Sequence, residues 1–60
     1  GIIQKVGEES SEVIIAAKNE SKQRVISEVS DLLFHILVML SYLGIKPSDI
    51  YEELSNRKRK

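Results

Sequence analysis

The chain has no cysteine and no tryptophan, one proline, three glycines and no net charge, with nine Lys and Arg against nine Asp and Glu. Without cysteine, disulfides and thiolate-bound zinc or iron–sulfur centres are excluded, leaving partner chains and oxygen-ligated metals as the usual supports of a small fold. The balanced charge removes the electrostatic case for nucleic acid as the main partner. The longest apolar stretch, Leu32 to Leu43, is interrupted by His35 and Ser41. It is shorter than the roughly 20 residues that cross a bilayer, so no membrane partner is expected. No basic-then-apolar leader precedes the first helical pattern, and the chain opens on Gly1-Ile2-Ile3 without a Met. The expectation is a cytoplasmic protein seen as a fragment or a partly ordered chain.

What is present is one small domain, residues 1–60, with 42% hydrophobic and 30% charged residues, too many aliphatics for a disordered chain. A chain of this length buries only about 60% of the surface its unfolded form exposes, so its stability alone is marginal. Helix formers run from Ile2 to Lys18, Asn19-Glu20-Ser21 is a polar break, and a second helical run extends from Lys22 to Leu43. Gly44 fits the residue that ends that helix. Pro47 fits the first turn of a short third helix, to about Leu54, with Ser48 as an alternative N-cap. Asn56 to Lys60 reads as a frayed basic tail.

On a helical wheel Ile2, Val6, Val13 and Ala17 form the apolar stripe of the first helix, with Glu9 at its edge. Val25, Val29, Leu32, Ile36, Leu40 and Leu43 form that of the second, with Glu28, Asp31 and His35 along one margin. Leu33, Phe34, Leu37 and Val38 point away from the stripe. A helix apolar on every side has to be covered on every side, and one hairpin with a short third helix cannot do it. The reading is all-α: an antiparallel hairpin plus a short helix, completed as a four-helix bundle by homodimerisation or a higher homo-oligomer.

The chemistry lies in Glu8-Glu9-x-x-Glu12 and Glu28-x-x-Asp31. Residues three apart share one side of a helix. If the hairpin turns near Glu20, Glu12 lies level with Glu28 and Glu9 with Asp31, in two layers roughly 12–17 Å from the turn. Four facing carboxylates repel unless a cation lies between them. Hard oxygen ligands suit Mg²⁺, with Mn²⁺ as the other candidate, and Mg²⁺ completes its shell with water and phosphate. Lys5 lies level with His35 one turn beyond the acids, where an ammonium and an imidazole suit a polyphosphate. Lys18, Lys22 and Arg24 are expected in solvent near the turn.

These residues resemble the all-α nucleoside-triphosphate pyrophosphatases, the superfamily of the MazG proteins and dimeric dUTPases. The run Lys5-Val6-Gly7-Glu8-Glu9-Ser10-Ser11-Glu12-Val13, then Ala16-Ala17-Lys18-Asn19, Asp31-Leu32-Leu33-Phe34-His35 and Gly44-Ile45-Lys46-Pro47-Ser48-Asp49-Ile50 is similar to one branch. That branch is the phosphoribosyl-ATP pyrophosphatases of histidine biosynthesis. The resemblance implies Mg²⁺-dependent hydrolysis of the α–β phosphoanhydride of phosphoribosyl-ATP, giving phosphoribosyl-AMP and pyrophosphate. It implies Glu9, Glu12, Glu28 and Asp31 as metal ligands, and Glu8 as a supporting acid or partner of the metal's water. A carboxylate of the cluster takes the water's proton, with Glu8 and Glu12 the catalytic candidates. Lys5 and His35 are the candidate substrate contacts. Family members usually carry a further helical segment before this point, and some are fused to the next enzyme, a cyclohydrolase. Two other functions fit the residues: a house-cleaning pyrophosphatase of dUTP, dCTP or damaged triphosphates, and a non-catalytic dimerisation module whose acids are a solvated face.

Overall fold

The computed structural model describes residues 1–19 and 21–58, which form three helices: α1, Ile2–Lys18; α2, Lys22–Leu43; and α3, Pro47–Lys58. No strand is present among the described residues. The first two helices have the limits that helix propensity and punctuation set. Ser21 is extended (φ −88°, ψ 101°) and its hydroxyl accepts the Arg24 N–H, capping α2. Glu20, where the turn was expected, lies outside the described residues.

At the other end of α2, Gly44 is left-handed at φ 73°. Its N–H bonds to the Ser41 carbonyl at 3.1 Å, and that of Ile45 to the Leu40 carbonyl at 2.9 Å. This is a Schellman motif, and it requires a conformation that costs an L side chain roughly 1–2 kcal/mol. A Cβ at Gly44 would meet nothing within 4 Å. Gly44→Ala should therefore destabilise the fold by backbone strain alone, about 1 kcal/mol in urea unfolding, and Gly44→Asn by less, because Asn tolerates this conformation.

α3 begins at Pro47, not after Ser48, and the Asp49 carboxylate accepts the Lys46 N–H at 3.0 Å. It runs a turn beyond the expected end at Leu54. Asn56, Arg57 and Lys58 are helical rather than a frayed tail; Arg59 and Lys60 lie outside the described residues. An Arg57 Nε to Glu53 bond at 2.9 Å ties the last turn together. Arg57 and Lys58 also place positive charge where the helix dipole favours it.

α1 and α2 pack antiparallel, while α3 barely touches either. The covered positions of α1 are Ile2, Val6, Glu9, Ser10, Val13 and Ala16. Ala16 is fully buried and Ala17 exposed, the reverse of the wheel's assignment. Steps of four and three residues, as from Ile2 to Val6, Glu9, Val13 and Ala16, follow the seam of two helices packed along their length, not a straight 100° wheel. Ser10 can sit on this face because its hydroxyl donates to the Val6 carbonyl at 2.8 Å. On α2, Val25, Val29, Leu32 and Ile36 are half-buried and Leu40 is buried, as the stripe requires; Val38, on another face, is also half-buried, and Leu43 is exposed. Leu33, Phe34 and Leu37 are uncovered, as expected of a single chain.

By length and composition α2 is long and apolar enough to cross a membrane, with a mean hydropathy of 1.5 over its most apolar window. The stretch Leu32 to Leu43 taken alone does not show this. The same helix carries Glu28, Asp31 and His35, which are expensive in hydrocarbon, and packs one face on α1.

Candidate functional site: a carboxylate-lined helix seam

Three of the acidic residues, Glu9, Glu12 and Glu28, meet side chains of the facing helix or approach a shared one, and they fall into two groups. In the first, the Nη2 atom of Arg24 lies 3.8 Å from Glu12 Oε2 and 3.7 Å from Glu28 Oε2. One guanidinium nitrogen thus stands between carboxylates of facing helices, at the level where the hairpin register pairs them. Arg24 is not simply solvated near the turn. Its signal in the sequence was its i, i+4 spacing to Glu28 and a stem long enough to reach across to α1.

In the second group, Glu9 meets His35. Glu9 Oε1 touches His35 Nδ1, which also lies 3.0 Å from the Asp31 backbone carbonyl. The ring nitrogen carries at most one hydrogen. The Glu9 carboxylate and the Asp31 carbonyl therefore compete for that hydrogen, and the carboxylate makes the closer contact. The Glu9 side chain is 13% exposed and that of His35 25%. The ring of Phe34 stands edge-on to that of His35, centroids 5.2 Å apart.

Register alone places Glu9 level with Asp31 and His35 with Lys5. The observed pair is offset by one turn because helical side chains lean toward their own N terminus. In an antiparallel hairpin, Glu9 leans away from the turn and His35 toward it, so the two converge. Asp31 contributes its carbonyl to this group, while its side chain is exposed. Glu8 is also exposed and accepts from Gln4 Nε2 at 3.3 Å on its own helix. Lys5 is exposed on α1, one turn before Glu9.

The donor set is all-oxygen apart from one imidazole, and by donor chemistry the carboxylates present are of the kind a hard divalent cation takes. Against this, Glu9 Oε1 already has the His35 ring nitrogen as its partner, and no three acidic or histidine side chains among the described residues converge closely enough to hold an ion as placed.

Residues 1–58 match the family model described as phosphoribosyl-ATP pyrophosphohydrolase. Among curated proteins, a phosphoribosyl-ATP pyrophosphatase of Sulfurisphaera tokodaii is 50% identical over 58 residues, covering 97% of this chain and 62% of the relative. One of Sulfolobus acidocaldarius is 51% identical over 59 residues, covering 98% of this chain and 62% of the relative. The chain thus spans 62% of the length of these relatives. With the match running along all three helices and through every acidic position of the seam, the chain belongs to the phosphoribosyl-ATP pyrophosphohydrolase family.

Proposed function

We propose that this chain carries the metal-binding seam of an enzyme that hydrolyses the α–β phosphoanhydride of phosphoribosyl-ATP, releasing phosphoribosyl-AMP and pyrophosphate in histidine biosynthesis. The observation that carries the reading is the approach of Glu12 on α1 and Glu28 on α2 to one cationic nitrogen of Arg24, within the stretch that matches the family. The relatives' name supplies the substrate. Glu9, Glu12, Glu28 and Asp31 would hold Mg²⁺, or Mn²⁺ in its place. When bound, the ion would supply charge neutralisation at the phosphoryl oxygens and a water of lowered pKa. Glu8 and Glu12 would be the candidates to take that water's proton. Lys5 and His35 would meet the phosphate chain, holding the anhydride in line for attack. The product would pass to a cyclohydrolase, fused or separate, within the cytoplasm.

The same reading completes the seam with a second copy of the chain. The chain exposes 5047 Å², where a compact protein of 6.8 kDa exposes about 4,000 Å². Its Cα radius of gyration is 13.4 Å against about 10.4 Å for a compact chain of this length. It is a slab of 33 × 32 × 14 Å. Val6, Leu33, Leu37, Leu40, Pro47 and Ile50 line an apolar groove on it. The excess of about 1,000 Å² per chain is the area that an obligate homodimer buries. A bundle of four long helices would cover Leu33, Phe34 and Leu37 and keep the acids at its margin.

A substrate panel tests the activity. The full-length protein in Mg²⁺ should release pyrophosphate from phosphoribosyl-ATP in strong preference to dUTP, dCTP and ATP. Equal or better turnover of the common triphosphates would make it a house-cleaning enzyme. No release from any of them, with or without a chelator, would leave a non-catalytic helical module.

A further inference from the structure

Arg24 is absorbed neither by the family's acidic pattern nor by the packing of the hairpin. Its side chain is 51% exposed, so it is not held by burial. At 3.7 and 3.8 Å its contacts are too long for hydrogen bonds, so charge alone holds the guanidinium between Glu12 and Glu28. Those two carboxylates are of like charge on facing helices, with Glu28 only 21% exposed, so a cation near both lowers their repulsion. A divalent ion bound by both would take the space that Arg24 Nη2 occupies, because that nitrogen lies between the oxygens the ion would contact.

We infer that Arg24 is a built-in counter-cation of the metal-free seam, which a divalent ion must displace to bind Glu12 and Glu28. The inference rests on the metal-binding reading above. It assigns Arg24 a positioning role: in the metal-free protein it keeps the two carboxylates near one point, and it sets the metal affinity by competing for them. A solvent-exposed, charge-held guanidinium suits this, since its release breaks no hydrogen bond and re-wets a group already half in water. The two helices stay neutralised without metal, and the cost appears as weaker binding of the ion.

The test compares wild type, Arg24→Gln and Arg24→Lys in the full-length protein, with Mn²⁺ affinity by calorimetry and melting temperature with and without Mn²⁺. Arg24→Gln should bind Mn²⁺ about two- to fivefold more tightly, the factor that exposed ion pairs of this kind represent. It should melt below wild type without metal and level with wild type in saturating Mn²⁺, because in the loaded state Arg24 has left the seam. Arg24→Lys keeps the charge and should stay close to wild type in both. Unchanged or weaker Mn²⁺ binding by Arg24→Gln would overturn the inference. So would a melting deficit of the same size with and without Mn²⁺, which is the signature of a purely structural ion pair. If wild type and variants all fail to bind Mn²⁺, the metal reading falls and the inference with it; if all bind it equally, the metal reading stands and only the role of Arg24 is lost.

Discussion

Glu28→Gln should abolish hydrolysis while leaving the protein folded. The substitution keeps the shape of the side chain and removes a charge from the seam, where Glu12 faces it across Arg24. Losing an outer partner of a metal ligand already costs about 10–100-fold, so losing a ligand should lower kcat by at least about 100-fold. Stability should change by no more than about 1 kcal/mol, since repulsion with Glu12 is relieved as one exposed ion pair is lost. Glu52→Gln is the control: Glu52 is exposed on α3, away from the seam, and its variant should turn over like wild type. Near-wild-type turnover by Glu28→Gln in saturating Mg²⁺ would return these carboxylates to the role of a solvated face. Equal loss in both variants would show that the effect is not specific to the seam.

Leu37→Glu should break the assembly. Leu37 is 48% exposed on the single chain, and replacing a surface leucine of a monomer changes stability by only about 0.5 kcal/mol. In a dimer that buries the face formed by Leu33, Phe34 and Leu37, the new carboxylate would be unpaired and out of water, at a cost of several kcal/mol. Sedimentation at micromolar concentration should give a dimer or larger for wild type and a monomeric or unfolded chain for Leu37→Glu. A folded wild-type monomer under those conditions would contradict the bundle, as would a variant as stable and as large as wild type.

The helix limits were legible because their signals are local. Ser21 caps through its own hydroxyl, Gly44 alone suits the left-handed turn, and Pro47 starts a helix at no hydrogen-bond cost. The acidic face was legible in part: register brings Glu12 and Glu28 to Arg24 across the two helices, while the Asp31 side chain is exposed and no three acidic or histidine side chains among the described residues converge. Three features were not, and each depends on geometry beyond one helix. Ala16 replaced Ala17 in the seam because two helices packed along their length follow a period nearer 3.5 than 3.6 residues. Glu9 found His35 rather than the level of Asp31 because both side chains lean toward their own N termini. Arg24 crossed to Glu12 on a side chain whose reach exceeds the spacing that register considers. The last turn of α3 was missed for a simpler reason: the i, i+4 pair of Glu53 and Arg57 outweighs the polar run around Asn56.

The central claim is that one divalent ion binds between α1 and α2, held by carboxylates of both helices. Anomalous diffraction from crystals of the full-length protein grown with Mn²⁺ tests it most directly. The account predicts one strong peak at the seam, within about 2.2 Å of oxygens from Glu9 or Glu12 on α1 and from Glu28 or Asp31 on α2, with the Arg24 side chain displaced. A protein saturated with Mn²⁺ elsewhere, with Arg24 still lying between Glu12 and Glu28, would contradict it.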